Sequence, residues 1–321
     1  MEKENHLARV ISQTEAKAEY DAACKRLLAN KVILAWIMKS CLEEYQDCTV
    51  EEIVEKYIQG MPQISQVGVH TDETNQSFGS AGCISETGME DTTLTEGTIT
   101  YDIRFFAAAP VSGEMIRLII NVEAQGDYYP GYPIVKRGIY YCSRMISAQH
   151  GTEFEDSHYE KIKKVYSVWI CMNPPKYKRN SITSYRICEE NIIGNVKEKV
   201  QHYDLLTVLM LCLGTAEDKN YGGILKLLEV LLSSKMEAEE KKKILREDFG
   251  IAMTSEMESE ASSMCNLSEL VERQGIEKGV WNANLEAIKN LMETLKLTAK
   301  QAMDALKIPV EEQEKYFAKL K

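Results

Sequence analysis

The sequence lacks the patterns that would assign it to a zinc-binding, disulfide-rich, secreted or membrane-spanning class. Its nine cysteines include no Cys-x-x-Cys pair and its five histidines no His-Glu-x-x-His run, so neither zinc nor a disulfide framework is supported. No run of 18 or more apolar residues occurs, so we expect no membrane span. The opening residues Met1-Glu-Lys-Glu-Asn5 carry no secretory pattern, and we expect a cytoplasmic protein.

Positive charge is also scarce. The formal net charge is −11, which argues against a nonspecific coat on nucleic acid, because a DNA enzyme would have to concentrate its cations locally. Local clusters exist, and the DNA-binding candidates among them are Lys163, Lys164, Lys176, Lys178 and Arg179. The last three surround Tyr177, as in loops that contact phosphates, although a solvated surface loop explains the same composition.

The length and the apolar content predict a chain with a substantial core. With 321 residues and 44% hydrophobic content, about two domains are expected. Residues 1–215 mix strand and helix patterns, with a polar loop or insertion at about 70–97, and residues 216–321 are helical. The acidic content of these last helices favours homo-oligomerisation over DNA reading.

Two neighbouring segments alternate as β-strands and carry acidic residues. In Thr98–Phe105 the apolar residues occupy alternate positions, so Asp102 points to the opposite face. In Arg117–Gln125 the same period places Glu123 and Gln125 together on one face. Carboxylates at the end of an apolar strand are costly without a compensating charge, and Mg²⁺ prefers such oxygen ligands.

A family resemblance is carried by stretches around these residues. They are Tyr20–Ala35, Tyr101–Phe105, Ile120–Gln125 and Tyr132–Met145. An acidic residue on one strand, Glu-x-Gln on the next and then a helix resembles the PD-(D/E)XK nuclease superfamily. More narrowly, the chain resembles the Rpn-like group, also labelled PD-(D/E)XK nuclease family transposase or recombination-promoting nuclease. The likeness covers roughly the first two thirds of the chain.

The resemblance implies a fold and an activity. The fold would be α/β, with a restriction-endonuclease-like mixed central sheet flanked by helices and an all-helical C-terminal extension. The activity would be metal-dependent hydrolysis of DNA phosphodiester bonds. Asp102, Glu123 and the carbonyl of Ala124 would hold Mg²⁺, with Mn²⁺ as a substitute. Gln125 stands where the superfamily usually has lysine, and its amide would orient a water molecule.

A second set of residues could supply a cation to this site. Asp21 and Lys25 lie one helical turn apart, and in the resembling nucleases such a pair approaches the metal. Asp21 and Lys25 are therefore second-tier candidates for the site, and the residues themselves favour a plain surface ion pair. Lys136 or Arg137, on the helix after the Glu-x-Gln strand, could replace the missing lysine.

Other functions fit parts of the same sequence. Glu-x-Gln is a common tripeptide on exposed sheet faces, and the neutral Gln125 with the negative net charge fits an inactive nuclease-fold module that binds DNA or a protein partner. A literal transposase would need an independent set of three carboxylates, which the sequence does not offer. Nuclease activity accounts for the residues most economically.

Overall fold

The computed structural model describes residues 18–64, 90–93, 97–111, 114–126, 128–233 and 236–320. Contacts divide the chain into a unit of Ala18–Cys265 and a second unit that contains Asn266–Lys321. None of the helices in these ranges combines the length and the apolar character needed to cross a membrane.

The first unit is built on strands that form one large and one small sheet. In chain order the strands are β1 (Ile58–Ile64), β2 (Glu90–Thr93), β3 (Gly97–Thr100), β4 (Ile103–Val111), β5 (Glu114–Gln125), β6 (Val165–Cys171), β7 (Ser181–Arg186) and β8 (Leu206–Cys212). The large sheet has six strands in the order β1-β4-β5-β6-β8-β7, and β2 pairs with β3 alone. Parallel pairing joins β5 to β6 and β6 to β8, whereas the other pairs are antiparallel.

Helices flank the large sheet and continue beyond it. They are α1 (residues 18–28), α2 (Lys31–Cys41), α3 (Val50–Glu52), α4 (Ile134–Ser147), α5 (Gly223–Leu232), α6 (Ala238–Phe249), α7 (Ser255–Leu295), α8 (Ala299–Ala305) and α9 (Val310–Leu320). The predicted fold class, a mixed α/β protein with a mixed sheet, flanking helices and C-terminal helices, is confirmed.

Apolar side chains cover both faces of the sheet, which explains the sequence of its central strands. One face packs against α1, α2 and α5, and the other packs against α4. Every residue of β6 is buried, as expected for a strand that is covered on both faces and reads as a continuous apolar run. The segment around β8, which periodicity alone could not distinguish from a helix, is a strand for the same reason.

The predicted continuous strand from Thr98 to Phe105 was wrong. β3 ends at Thr100 and β4 begins at Ile103, with a bend at Asp102. Tyr101 packs in the α4-side cluster, whereas Ile103 packs in the cluster on the opposite face. Asp102 therefore lies at a break between strands, where its side chain is not confined to one face.

The unit with the large sheet extends past residue 215, where the sequence pattern placed its end. Helix α5 buries Ile224, Leu227, Leu228 and Leu231 in the same cluster as the sheet residues. Helix α6 adds Leu245 to that cluster. The helical segment after 215 completes the core of the first unit before the chain enters the second. Most of the predicted polar loop at 70–97 lies outside the described residues.

The second unit has a small core of its own. Ile288, Ala302, Met303 and Tyr316 are buried together, and the ring of Trp281 stacks on Tyr316 with 3.9 Å between centroids. At the start of α8 the Thr298 side chain accepts from the main-chain N–H of Gln301, and the Gln301 side chain accepts from the main-chain N–H of Thr298, which together form a capping box. Homo-oligomerisation through these helices stays a prediction.

Helix α4 lies close to the sheet because Gly138 has no side chain. A Cβ at this position would lie 2.6 Å from Val208 Cγ1 and 3.0 Å from Trp169 Nε1. Real Cβ contacts are longer than this, so a side chain here would push the helix away from β6 and β8. The position of α4 matters because Arg137, the residue before Gly138, interacts with the acidic residues described below.

We expect Gly138→Val to lower the free energy of unfolding by about 1–3 kcal/mol, because the new side chain overpacks the contact between helix and sheet. Urea denaturation of the full chain measures this. Ser143→Val places the same side chain at an exposed position of the same helix and should stay within about 0.5 kcal/mol of the parent. Equal stability of the two variants would contradict the close approach of α4.

Candidate active site

Asp102 is joined to the end of β5 by two hydrogen bonds, one to Glu123 and one to Ala124. The main-chain N–H of Asp102 donates to Glu123 Oε1 at 3.1 Å, and the main-chain N–H of Ala124 donates to Asp102 Oδ2 at 3.1 Å. The regular pairing of β4 with β5 ends at Ile103 and Val122. Beyond the last regular pair, carboxylate oxygens accept the main-chain hydrogen bonds that carbonyl oxygens accept within the sheet. These bonds bring the two carboxylates together.

Lys25 of α1 completes the cluster from the helical side. Its ammonium lies 2.8 Å from Asp102 Oδ1 and 3.2 Å from Asp21 Oδ2. Lys25 is 2% exposed, so the interpretation of Asp21 and Lys25 as a plain surface pair was wrong. The flanking residues Cys24 and Leu28 pack in the core, which holds this face of α1 against the sheet and aims the lysine at Asp102.

Burial and charge set the protonation of this cluster. Burial, and then the neighbouring Asp102 carboxylate, raise the pKa of Glu123 well above its ordinary value, while the Asp102 N–H, Arg137 and Asn121 oppose the shift. Burial by itself lowers the pKa of Lys25, but Asp102 and Asp21 outweigh it and raise that pKa. The two carboxylates therefore favour the charged form of Lys25, whereas burial and Asp102 disfavour the charged form of Glu123.

The two cation candidates on α4 occupy different environments. Lys136 is exposed, whereas Arg137 is half-buried, and its Nε donates to Tyr141 Oη at 3.0 Å. Burial lowers the pKa of Arg137, but Tyr141, Glu123 and Tyr132 outweigh that effect and raise it. The Arg137 guanidinium also lies over the ring of Trp169, 5.6 Å from its centroid. Of the two, Arg137 is the cation held beside Glu123.

Gln125 and Asn121 flank Glu123 on the same face of β5. Gln125 is half-buried, and its main-chain carbonyl accepts from Met172 at the end of β6. Asn121 is fully buried, and its Nδ2 donates to Ser167 Oγ at 3.3 Å. Among the described residues, Asn121 Oδ1 is one of few buried polar side-chain atoms with no hydrogen-bond partner. The site therefore contains a buried hydrogen-bond acceptor that is not satisfied by the described protein residues.

The basic candidates fall at opposite ends of the sheet. Lys164 precedes β6 and bonds Glu44 at 3.0 Å and also Asp204, so its charge is engaged. Since Glu123 pairs with Trp169, Lys164 lies roughly 16 Å away along the strand. The main chain of Lys163 is held by the side chain of Gln149.

The other basic group, Lys176, Lys178 and Arg179, follows β6 at the end of the sheet that carries Gln125. Lys176 is exposed and Lys178 is half-buried. Arg179 lies 3.5 Å from Asp218. The structure thus brings together Asp21, Lys25, Asp102, Glu123 and Arg137, places Lys176 and Lys178 at the same sheet edge, and separates Lys163 and Lys164 from them.

Sequence reasoning missed the residues that orient Arg137. Tyr141 follows it by one helical turn and bonds its guanidinium, and Tyr132 Oη accepts from Arg137 Nη1 at 3.2 Å. The spacing of Arg137 and Tyr141 was a usable signal, because residues four apart share a helix face. The contact with Trp169 depends on tertiary packing and had no signal in the sequence.

The donor set suits a hard cation but is incomplete within the protein. Among the residues that the structure describes, no group of three or more His, Cys, Asp or Glu is placed to hold a metal ion. Asp102 and Glu123 provide two carboxylates, and Mg²⁺ commonly combines one or two carboxylates with water and substrate phosphate. The buried, under-compensated Glu123 and the unsatisfied Asn121 oxygen fit a site that accepts a further charged or polar group.

Comparison with protein-family models, curated proteins and solved structures finds no match for this chain. The resemblance to the PD-(D/E)XK nucleases therefore stays a prediction.

We expect Glu123→Gln to raise the melting temperature of the metal-free protein at pH 8, because the amide keeps the shape of the side chain without its buried charge. The melting temperature should rise by about 2–4 °C for each kcal/mol that the substitution adds to the free energy of unfolding. The folded-state pKa of Glu123 is raised, so the wild type loses stability as pH rises from the ordinary glutamate pKa towards the raised value. The difference between variant and wild type should therefore shrink on acidification. Thermal scans in EDTA from pH 4 to pH 8 measure it, and a difference independent of pH would contradict the assignment.

Proposed function

We propose that this chain is a Mg²⁺-dependent nuclease that hydrolyses DNA phosphodiester bonds, with a link to recombination or mobile elements suggested by the family resemblance. The observation that carries the proposal is the position of the Asp102 carboxylate. It lies between the Lys25 ammonium and the end of β5 that carries Glu123 and Gln125. Two carboxylates at one strand end can hold a metal ion for phosphodiester hydrolysis, and a neighbouring lysine can stabilise developing negative charge.

Asp102, Glu123 and the carbonyl of Ala124 would hold the ion, with Mn²⁺ as a substitute. Such an ion polarises the scissile phosphate and lowers the pKa of a bound water. The buried Asp102 and Glu123 lie in one cluster with Lys25 and Arg137. A cation bound at the two carboxylates would favour the ionised form of Glu123, so cation binding and ionisation of Glu123 support each other.

Lys25 and Arg137 supply the positive charge that Gln125 lacks. Lys25 is a buried cation beside Asp102, so it can stabilise negative charge that develops on a phosphate held at that carboxylate. Arg137, held by Tyr141 and Tyr132, adds a second fixed cation on the other side of Glu123. Gln125 orients a water molecule through its amide, since it cannot act as a base at neutral pH.

A second candidate function is a nuclease-fold module that binds DNA or a protein partner without cutting. The observation that favours it is the same Lys25 contact, because the ammonium already occupies Asp102 Oδ1 at 2.8 Å, as an ion would. Calorimetric titration with Mg²⁺ and Mn²⁺ separates the two. Retained DNA binding without metal binding supports the module.

We expect Asp102→Ala to reduce Mg²⁺-dependent cleavage of plasmid DNA at least about 100-fold, because it removes a carboxylate ligand. Circular dichroism and gel filtration check that the variant folds. Glu160→Ala, which alters an exposed carboxylate, is purified in parallel to control for contaminating nucleases and should keep wild-type activity. Cleavage that survives both Asp102→Ala and Glu123→Ala at the wild-type rate would remove the proposed site.

We expect Lys25→Met to lower the cleavage rate at saturating DNA by about 100-fold, since it removes a preorganised cation. The change also removes the ammonium beside the buried Asp102 carboxylate and should cost about 3–5 kcal/mol of stability. The double variant Lys25→Met with Asp21→Asn recovers part of that stability. If this double variant cleaves as fast as Asp21→Asn alone, Lys25 has only a structural role.

A further inference from the structure

Two loops leave the sheet beside the carboxylate site and are tied to each other. Gly126 and residues 128–132 follow β5, and residues 173–180 follow β6. The Asn173 side chain donates to the Gly126 carbonyl at 3.1 Å, and the hydroxyls of Tyr129 and Tyr177 lie 3.0 Å apart. Because Gln125 and Cys171 are paired partners in the sheet, both loops begin at the same edge, directly after the candidate active site.

These loops expose aromatic rings instead of burying them. Tyr129 is 60% exposed and Tyr177 is 77% exposed. Tyr128 is half-buried, and its ring lies edge-on to Tyr129 with 4.9 Å between centroids. We call Tyr128, Tyr129, Tyr177 and Lys178 the tyrosine surface. Large rings held in place at a loop surface without being covered are typical of binding sites.

A cation lies among these rings. Lys178 Nζ is 5.5 Å from the centroid of Tyr128 and 5.8 Å from that of Tyr177. Lys176, two residues earlier, is exposed. The nearby Arg179 is paired with Asp218, whereas Lys178 is hydrogen-bonded to the neutral Tyr128 hydroxyl and so keeps its positive charge for an anionic ligand. The combination of ring faces and ammonium groups matches the bases and phosphates of one nucleic-acid strand.

We propose that the tyrosine surface binds single-stranded nucleic acid beside the carboxylate site, with bases stacked on Tyr129 and Tyr177 and a phosphate held by Lys178. The ligand class follows from the geometry, because bases inside a duplex already stack on each other and cannot cover exposed rings. The inference takes its substrate chemistry from the proposed nuclease function. It adds that unpaired DNA, such as a frayed end or a flap, is the form that this edge of the sheet accepts.

Binding is tested without cleavage by working in EDTA. Fluorescence anisotropy compares a labelled 15-nucleotide oligo(dT) with a labelled 15-base-pair duplex on the full-length protein. We expect tighter binding of the single strand and about tenfold weaker binding in Tyr177→Ala, which corresponds to about 1.4 kcal/mol, within the range for one stacked base. Tyr177→Phe keeps the ring and should stay within about twofold of the wild type.

Tyr159→Ala is the matched control. Tyr159 is 65% exposed and precedes β6, at the opposite end of the strand from the tyrosine surface. Its loss should leave oligo(dT) affinity unchanged. Lys178→Ala should weaken binding and reduce the slope of log affinity against log salt by about 0.7, as expected for the loss of one phosphate contact on a single strand.

Equal effects of Tyr177→Ala and Tyr159→Ala, or tighter binding of the duplex than of the single strand, would overturn the inference. So would a result in which Tyr177→Ala changes only self-association in gel filtration, since that marks a protein interface. The nuclease proposal fails separately. If single-strand binding depends on Tyr177 but no Mg²⁺-dependent cleavage occurs, the tyrosine surface is supported and the nuclease proposal is wrong. If cleavage occurs without single-strand binding, the nuclease proposal is supported and the tyrosine surface is wrong.

Discussion

The structure of the site depends on the exchange of hydrogen bonds between the start of β4 and the end of β5. Glu123 accepts from the main chain of Asp102, and Asp102 accepts from the main chain of Ala124. These bonds do two things at once. They continue the strand pairing past the last regular pair, and they fix two carboxylates in an environment with little water. The hydrogen bonds that extend the strand pairing are therefore the same bonds that hold the two carboxylates in place.

The cost of this arrangement explains the residues that surround it. Two buried carboxylates repel each other, and burial favours their neutral forms. Lys25 of α1 forms an ion pair with Asp102, and Arg137 of α4 interacts electrostatically with Glu123. Helices on opposite faces of the sheet therefore place cations at the same strand end. Gly138 allows the second approach, because only a residue without a side chain lets α4 lie so close to Trp169 and Val208.

Much of this could be predicted from the sequence, and the exceptions have physical causes. β5 was predicted because the alternation of apolar residues along a strand reports burial directly. The break at Asp102 was missed because the alternation from Ile99 to Phe105 fits an unbroken strand, and only contacts with β5 interrupt it. The extension of the sheet unit past residue 215 did have a signal. Residues 224–232 are apolar on nearly every side, as expected for a helix that is covered all round.

The position of a charge in space matters more than the element that carries it. Gln125 is a neutral amide at the position where the nucleases that the sequence resembles usually have a lysine. From the sequence alone, the missing positive charge weakens the expectation of catalysis. In the folded chain the cations come from α1 and α4, so positive charge lies beside Asp102 and Glu123 although residue 125 is neutral. The packed core around Cys24 and Leu28 fixes the main chain that carries Lys25. Preorganisation of this kind is what lets a fixed charge stabilise a transition state.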